Sequence, residues 1–310
     1  MTTPSVHDWE QVLAAGCPAP ASDRRLDAAT DLVSALADPD TRLREIVAPR
    51  VLRGWVEAGA YDDLLAGLGD GLLAGLRPSR VSAAGTETET TRDLALHARC
   101  GRAGALSLVV GRDNRHRLVP RDRVLDWADR CVSWLLDERD LRASTPFGTA
   151  DAIGRGAQLM ATLAASPVLG GGELAVLLDV LTERAAAPSD TALTPLQADH
   201  LAFAAVTVLG RDVLTVEEAE GWLERLAEVA GGVGPPTATA LAPRANALAL
   251  LGALHTQLVL GVVSTPVTEL TRSADPGAEP PGWPRDRSDL VLAVQRALRA
   301  AAPWLYRGPA

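Results

Sequence analysis

Two helix-capping patterns constrain most strongly what this chain can fold into. They are Thr194–Gln197 (sequence TPLQ) and Thr215–Glu218 (sequence TVEE). In each, the Thr hydroxyl can accept a backbone N–H that is unpaired at a helix start, and the Gln or Glu three positions later can bind the Thr N–H in return. Apolar residues at helical spacing follow both patterns. Two adjacent helices are therefore predicted, beginning directly after Thr194 and Thr215.

Composition extends this prediction to the rest of the chain. Ala and Leu supply about a third of the 310 residues, whereas Phe and Tyr number two each. Such a composition favours helices and disfavours strands, which are enriched in aromatic and β-branched residues. Pro, Gly and Asp interrupt the apolar pattern at intervals of one helix length. Further helices are predicted at about residues 62–76, 89–110, 121–137, 150–165, 173–186, 240–263 and 289–302.

One segment indicates how the helices are paired. Between Leu26 and Gly59, a helix ending near Ala37 is followed by the turn Asp38-Pro39-Asp40 and by a second helix with regular apolar positions. Helix pairs of this kind are typical of HEAT repeats, which bury their apolar faces by stacking into a solenoid. The predicted fold is all-α, an α/α superhelix of about ten to twelve helices.

The proline content near the C-terminus suggests the domain boundaries. Residues 265–288 contain five prolines and are too rich in proline to be helical. We predict a helical solenoid domain over residues 1–265, a Pro-rich linker or loop over 266–288, and a last amphipathic helix within 289–310. This helix is expected to pack on the end of the solenoid, because terminal repeats must cover an apolar face.

Charge excludes several classes of function. All thirty basic residues are Arg, so the chain has no Lys for a Schiff base, a pyridoxal-phosphate site, a Walker P-loop or a kinase-type phosphate contact. The net charge of −9 argues against nucleic acid as a partner, including the activity of a HEAT-like DNA-repair glycosylase. A basic run, Arg112 to Arg123, is interpreted as a solvated loop between helices.

The remaining global features predict a soluble cytoplasmic protein without a membrane partner. Three cysteines are too few for a disulfide framework. The N-terminal residues have neither the basic nor the apolar region of a signal peptide. Residues 245–268 carry no charge, but Asn246, His255 and Gln257 favour a buried helix of a bundle over a membrane span.

The candidate site lies in the most polar junction, residues 137–142 and 148–158. Asp151, Arg155 and Gln158 have the spacing i, i+4 and i+7 and would share one face of a helix. They form either a surface ion pair or a polar triplet in an apolar groove, where burial would perturb Asp151. The candidate acid–base groups are Asp151, Glu138 and Asp140; Arg155, Arg142 and Arg92 would position an anionic group of a ligand.

Two further sets of residues have both a structural and a functional interpretation. Trp127 and Trp134 share one helix face and are either core residues or a wall on which a planar ligand stacks. His97 and Cys100, with Cys131 from the next helix, could form an open zinc site, but buried free cysteines usually behave as small hydrophobes. We therefore predict no metal and no cofactor.

The junction resembles a bacterial family of unknown function, domain-of-unknown-function family 2785. The resemblance extends from about Leu36 to Ala230. It rests on residues 36–40 (LADPD), 91–92 (TR), 138–142 (ERDLR) and 148–167. The family signature is Gly-Trp-Ala-His-x-x-x-His-Gly-Ala-Asp-x-Leu on a helix. Gly148, Ala150, Gly156 and Ala157 match this signature, whereas its two histidines fall on Asp151 and Arg155, its Trp on Thr149 and its Asp on Gln158.

The resemblance implies a helical, HEAT-like fold and no particular activity. A histidine pair at i, i+4 can bind a metal or shuttle protons, which an Asp–Arg pair cannot do in that way. Two hypotheses follow. The chain is a scaffold whose concave groove binds a small molecule or a protein, or it is an enzyme that acts on a small metabolite in that groove. The oligomeric state is left open.

Overall fold

The computed structural model of the protein describes residues 4–77, 88–232, 237–262 and 284–306, and the chain forms two compact units, Met1–Leu159 and Met160–Ala310. The described residues are predominantly helical, as predicted, and contain twelve α-helices. The first unit contains α1 (Val6–Ala14), α2 (Arg25–Ala35), α3 (Ala48–Glu57), α4 (Leu65–Ala74), α5 (Glu89–His116) and α6 (Arg121–Asp137), and then a hairpin of β1 (Ser144–Thr145) and β2 (Gly148–Thr149).

The unit boundary falls within α7 (Ala152–Ala164), and the second unit continues with five helices. These are α8 (Gly171–Ala186), α9 (Pro195–Leu209), α10 (Val216–Gly231), α11 (Ala238–Leu260) and α12 (Arg287–Ala301). Short 3-10 turns precede α2 at Ser22–Arg24 and α4 at Asp62–Leu64. The hairpin pairs Ser144 with Thr149 and Thr145 with Gly148 in antiparallel register.

Both predicted capping boxes are formed. The Thr194 hydroxyl accepts the Gln197 N–H at 3.2 Å, and the Thr194 N–H donates to Gln197 Oε1 at 2.9 Å. At the start of α10 the Glu218 N–H donates to the Thr215 hydroxyl at 3.2 Å, and the Thr215 N–H donates to Glu218 Oε2 at 2.8 Å. The local pattern of a few residues is sufficient to fix these helix starts.

The interpretation of residues 112–123 as a loop is wrong. α5 continues to His116 and α6 begins at Arg121, so only residues 117–120 connect the two helices. The connection is short because Arg117 adopts a left-handed conformation (φ 55°), and Asp113 Oδ1 accepts the N–H groups of Leu118 and Val119 at 2.8 and 2.7 Å. Arg112 binds Asp62 by two hydrogen bonds of 2.9 and 2.7 Å.

The second helix of the predicted 26–59 pair begins with a wider turn than a regular α-helix. Residues Leu43–Val47 form a π turn, in which the Ala48 N–H donates to the Leu43 carbonyl five residues earlier. Pro49 follows directly in α3. Because proline has no N–H and its ring crowds the carbonyl four residues before it, a widened turn suits this position. The π turn places Arg44 and Glu45 beside the hairpin described below.

The core of the first unit contains a tryptophan that fits against a glycine. Trp127 of α6 is completely buried, and its Nε1 donates to Asp70 Oδ1 of α4 at 2.9 Å. A Cβ atom at Gly69 would lie 2.3 Å from the Trp127 ring. α4 and α6 can therefore pack at this distance only because residue 69 is glycine.

Buried polar side chains connect the helices of the second unit. Asn246 of α11, only 2% exposed, accepts the Leu193 N–H at 2.7 Å and donates to the Ala185 carbonyl at 3.2 Å. Trp222 of α10 donates to the Leu178 carbonyl and to the Thr182 hydroxyl at 2.9 and 2.8 Å. These bonds satisfy polar groups that burial would otherwise leave unpaired.

The last helix packs against α10 and α11. Arg287 at its start donates to the carbonyls of Leu258 and Val259 at the end of α11, each at 2.5 Å. Most of the predicted linker, residues 266–283, lies outside the described residues, and the predicted division into domains stays a prediction. Within the described part of the chain, no helix combines the length and apolar character needed to cross a membrane.

Substitution of two glycines of α4 tests the packing of Trp127. Gly69→Ala would place a methyl group against the indole, and we expect it to lower the free energy of unfolding by about 1–3 kcal/mol. Gly71→Ala is the matched control, because it lies on the same helix with no described atom within 4 Å of the new methyl group. It should raise stability by about 0.5–1 kcal/mol. Urea denaturation of both variants measures this, and equal effects would contradict the packing argument.

Candidate functional site

A buried ion pair anchors the polar junction that follows α6. Glu138 has no exposed surface, and its carboxylate accepts Arg99 Nε of α5 at 2.6 Å and Arg99 Nη2 at 3.3 Å. Glu138 Oε1 also accepts the backbone N–H groups of Arg139 and Asp140 at 3.1 and 3.0 Å. The carboxylate therefore turns the chain away from α6 and attaches the next residues to α5.

A second ion-pair network lies directly after this anchor. Arg142 donates to Asp140 Oδ1 and Oδ2 at 2.9 and 2.7 Å and to the buried Asp93 of α5 at 2.7 Å. Burial acts to raise the pKa of Asp140, but the hydrogen bonds from Arg142 outweigh it and hold this pKa below its usual range. The bond to Asp140 also raises the pKa of Arg142. Asp140 is thus an ionised partner of Arg142.

The hairpin brings a hydroxyl group to a buried imidazole. His97 of α5 is 2% exposed, and its Nε2 lies 2.8 Å from the Thr145 hydroxyl. Its Nδ1 lies 3.9 Å from Glu45 Oε1 of the π turn. Desolvation, assisted by the positive charge of Arg44, lowers the pKa of His97 to about 4, so the ring is neutral at pH 7. The imidazole thus lies between the two other groups, with Nδ1 towards the carboxylate and Nε2 towards the hydroxyl.

Arg44 fixes the hairpin on the π turn. This buried guanidinium donates to Glu45 Oε1 at 2.9 Å, to the Asp38 carbonyl at 2.7 Å and to the Phe147 carbonyl. Gly148 adopts a positive φ of 121°, and a Cβ atom there would lie 2.3 Å from Glu45 Oε1. Glycine at position 148 therefore serves both the backbone conformation of the hairpin and the close contact with Glu45.

The candidate triplet on α7 is arranged differently from a simple helix face. Asp151 precedes the helix, and its Oδ1 accepts the Gly154 N–H at 2.8 Å. Within the helix, Arg155 Nη1 lies 3.3 Å from Gln158 Oε1. All three side chains are half-buried, and the rest of α7 is made of Gly, Ala and apolar residues. The triplet thus begins with a helix cap and continues with a polar pair on α7.

The other predicted ligand-binding residues are separated from this pair. Arg92 is exposed in the first turn of α5, whereas Trp127 and Trp134 are 0% and 2% exposed in the core of the first unit. Trp134 packs near Gly156 of α7, where a Cβ atom would lie 3.3 Å from its ring and 2.6 Å from Leu135. Gly156 thus permits the close packing of α6 and α7.

The three residues considered for a zinc site are accounted for by their surroundings. His97 is hydrogen-bonded to Thr145, and Cys100 and Cys131 are buried free thiols. Burial raises the pKa of Cys100 to about 12 and also raises the pKa of Cys131. In residues 4–77, 88–232, 237–262 and 284–306, no group of three His, Cys, Asp or Glu side chains is placed to hold a metal ion.

Five residues of this region were not predicted from the sequence, namely Arg44, Glu45, Asp93, Arg99 and Thr145. The sequence did contain a signal for Asp93. It is spaced i, i+4 and i+7 with His97 and Cys100 on α5, so the three residues share one face. No spacing in the sequence connects α5 with residues 138–149, because the partners are about fifty positions apart.

A family model described as a protein of unknown function (DUF2785) matches residues 90–256. The matched range includes three of the four motifs that carry the resemblance, residues 91–92, 138–142 and 148–167. Residues 36–40 lie outside it. No curated protein and no solved structure matches the chain.

Removal of Glu138 tests whether the buried ion pair holds the first unit together. Glu138→Ala leaves Arg99 buried without its carboxylate, and we expect a loss of about 3–5 kcal/mol in the free energy of unfolding. The control is Asp126→Ala, which removes the partner of Arg130 from an exposed i, i+4 pair. It should cost about 0.5 kcal/mol or less. Chemical denaturation measures the free energy of unfolding of both variants. Similar losses for the two would refute the structural role of Glu138.

His97 makes stability depend on pH in a defined window. The pKa of this residue falls from 6.5 to about 4 on folding, so below pH 6.5 the unfolded chain binds a proton that the folded protein does not bind. The contribution of the neutral His97 to the free energy of unfolding is complete above pH 6.5. It is lost as the pH falls towards 4, by at most about 1.4 kcal/mol per pH unit. Comparing denaturation curves of wild type and His97→Gln from pH 8 to 4 isolates this slope.

The control for this pH dependence is His7→Gln, which changes an exposed histidine of α1. It should keep the wild-type pH profile, whereas His97→Gln should flatten it between pH 6.5 and 4. A wild-type slope retained in His97→Gln would show that His97 is not the responsible group.

Proposed function

The chain belongs to the DUF2785 family, and from this premise we propose that it is a ligand-binding α/α solenoid of HEAT type that takes a small molecule with an anionic group at Arg155 of α7. Paired helices with short connections support the solenoid, since residues 117–120 alone join α5 to α6 and the Asp38–Asp40 turn separates α2 from the π turn. The ligand would lie in a groove of that solenoid.

The observation that carries the proposal is the position of the Arg155 guanidinium. It is half-buried on a helix that is otherwise apolar, with Gln158 Oε1 at 3.3 Å from Nη1. Opposite lies Gly104 of α5, and Arg155 Nη1, at 3.8 Å, is the one described atom within 4 Å of the position that a Cβ of residue 104 would occupy. A half-buried guanidinium can bind a carboxylate or phosphate by two parallel hydrogen bonds.

The carboxylates bound to Arg142 favour Arg155 over Arg142 as the residue that binds an anionic ligand. Arg142 already donates to Asp93 and Asp140, so an anionic ligand would have to compete with two carboxylates. The same pairing weakens the alternative in which Glu138 or Asp140 is an acid–base group of an enzyme. Glu138 is fully buried against Arg99, and Asp140 is held ionised by Arg142. Asp151 remains the candidate acid–base group of that alternative.

Native mass spectrometry of gently purified protein, compared with its denatured mass, tests the proposal. We expect a stoichiometric extra mass on the wild type that is lost in Arg155→Met, which keeps an unbranched apolar side chain but removes the guanidinium. The matched control is Arg130→Met on the exposed side of α6, which should retain the extra mass.

A second test applies if the ligand dissociates during purification. It measures the melting temperature with orthophosphate and with citrate as anionic probes. Either probe should raise the melting temperature of wild type and Arg130→Met and leave Arg155→Met unchanged, because only a ligand that binds the folded state stabilises it. A clean apo mass together with no shift that depends on Arg155 would refute an anion site at this residue.

A further inference from the structure

We propose that Thr145 is a nucleophile, with His97 as its general base and Glu45 as the group that orients the imidazole, and that this site hydrolyses short acyl esters. The proposal concerns a different part of the first unit from Arg155 and does not depend on ligand binding there. It starts from the position of the His97 imidazole of α5 between the carboxylate of the π turn and the hydroxyl of β1.

The distance between hydroxyl and imidazole is that of a nucleophile and its base. Thr145 Oγ1 lies 2.8 Å from His97 Nε2, inside the range of about 2.6–3.2 Å that proton transfer requires. The Phe147 N–H donates to the same hydroxyl oxygen at 3.1 Å. In the proposed reaction the Thr145 O–H is the donor of the hydrogen bond to the imidazole.

The other ring nitrogen faces a carboxylate. His97 Nδ1 lies 3.9 Å from Glu45 Oε1, beyond hydrogen-bond distance, so the carboxylate acts on the ring through its charge. The proposal requires the tautomer in which Nδ1 carries the proton and Nε2 accepts. Desolvation and Arg44 keep the imidazole neutral, as a base must be before the reaction. The charge of the neighbouring Asp93 favours the imidazolium that forms on proton transfer, whereas desolvation and the charges of Arg44 and Arg142 oppose it.

The nucleophile is accessible while its base is enclosed. Thr145 and the Glu45 side chain are partly exposed, with Glu45 at 31%, whereas His97 is 2% exposed. Thr145 lies in the short β1–β2 hairpin, which Arg44 and the positive-φ Gly148 hold against the π turn. π turns occur frequently at functional sites, and here the widened turn supplies both Arg44 and Glu45.

The reaction balances with an ester and water as the only reactants. Thr145 Oγ1 attacks the ester carbonyl carbon while its proton passes to His97 Nε2. The bond to the alcohol oxygen then breaks, and the imidazolium returns the proton to the departing alcohol. Water attacks the acyl–Thr145 ester with His97 again as base, which releases the carboxylic acid and restores the hydroxyl.

The test uses 4-nitrophenyl acetate with the full chain, and a reactive fluorophosphonate as a second probe. We expect release of 4-nitrophenolate, and peptide mass spectrometry should find the acetyl or phosphonyl group on Thr145. Thr145→Val keeps the shape of the side chain without its hydroxyl and should abolish both adducts, whereas Thr145→Ser should keep them. The matched control is Thr149→Val, at the exposed position on β2 that pairs with Ser144. It should react like the wild type.

The base and the orienting group have separate predictions. His97→Gln should lower the rate of labelling about 100-fold or more, the usual contribution of a general base. Glu45→Gln should lower it less, because Glu45 acts through the imidazole. Thermal melts identify variants that fail to fold, and the near-isosteric Thr145→Val keeps the test decisive if His97→Gln does not fold. Absence of an adduct on folded wild type, or an adduct unchanged in Thr145→Val, would overturn the proposal.

Discussion

The first unit depends on the burial of charge between α5 and the segment that follows α6. Arg99 and Glu138 lose their hydration together, and this is tolerable only because two guanidinium hydrogen bonds and two backbone N–H groups replace the water. The pair fixes where the chain leaves α6. The Arg142 network and the hydrogen bond of Thr145 with His97 lie in the segment that begins at that exit.

The need to pair buried charges also distinguishes two kinds of polar side chain. Some are paired within the protein, and others can contact a ligand or take part in a reaction. Carboxylates bound by arginines, such as Glu138 and Asp140, already accept guanidinium hydrogen bonds. Arg142 also holds the pKa of Asp140 below its usual range. The proposed functions therefore use side chains at the margin of this network. Arg155 lies beside Gly104, with Nη1 3.8 Å from the position of a Cβ there. Thr145 is partly exposed, and its hydroxyl is hydrogen-bonded to the buried His97 imidazole.

Glycines decide where the elements of this unit can meet. Gly69 makes room for the Trp127 ring, Gly156 for Leu135, and Gly148 for the carboxylate of Glu45. Gly148 and Gly156 also lie in the range that the family model matches. Their role in this chain is explained by contact distances, without any activity: a side chain at either position would displace a buried neighbour or the hairpin.

The sequence by itself determined the helical class and most helix limits, because caps such as Thr194 and Thr215 act on backbone groups within four residues. It also marked residues 138–142 and 148–158 as the polar junction. Only the tertiary structure decided the partners: Glu138 pairs with Arg99, and Thr145 with His97, across 39 and 48 positions. No local pattern encodes such pairs, since they arise when α5 and the hairpin pack together and each buried charge must find a partner.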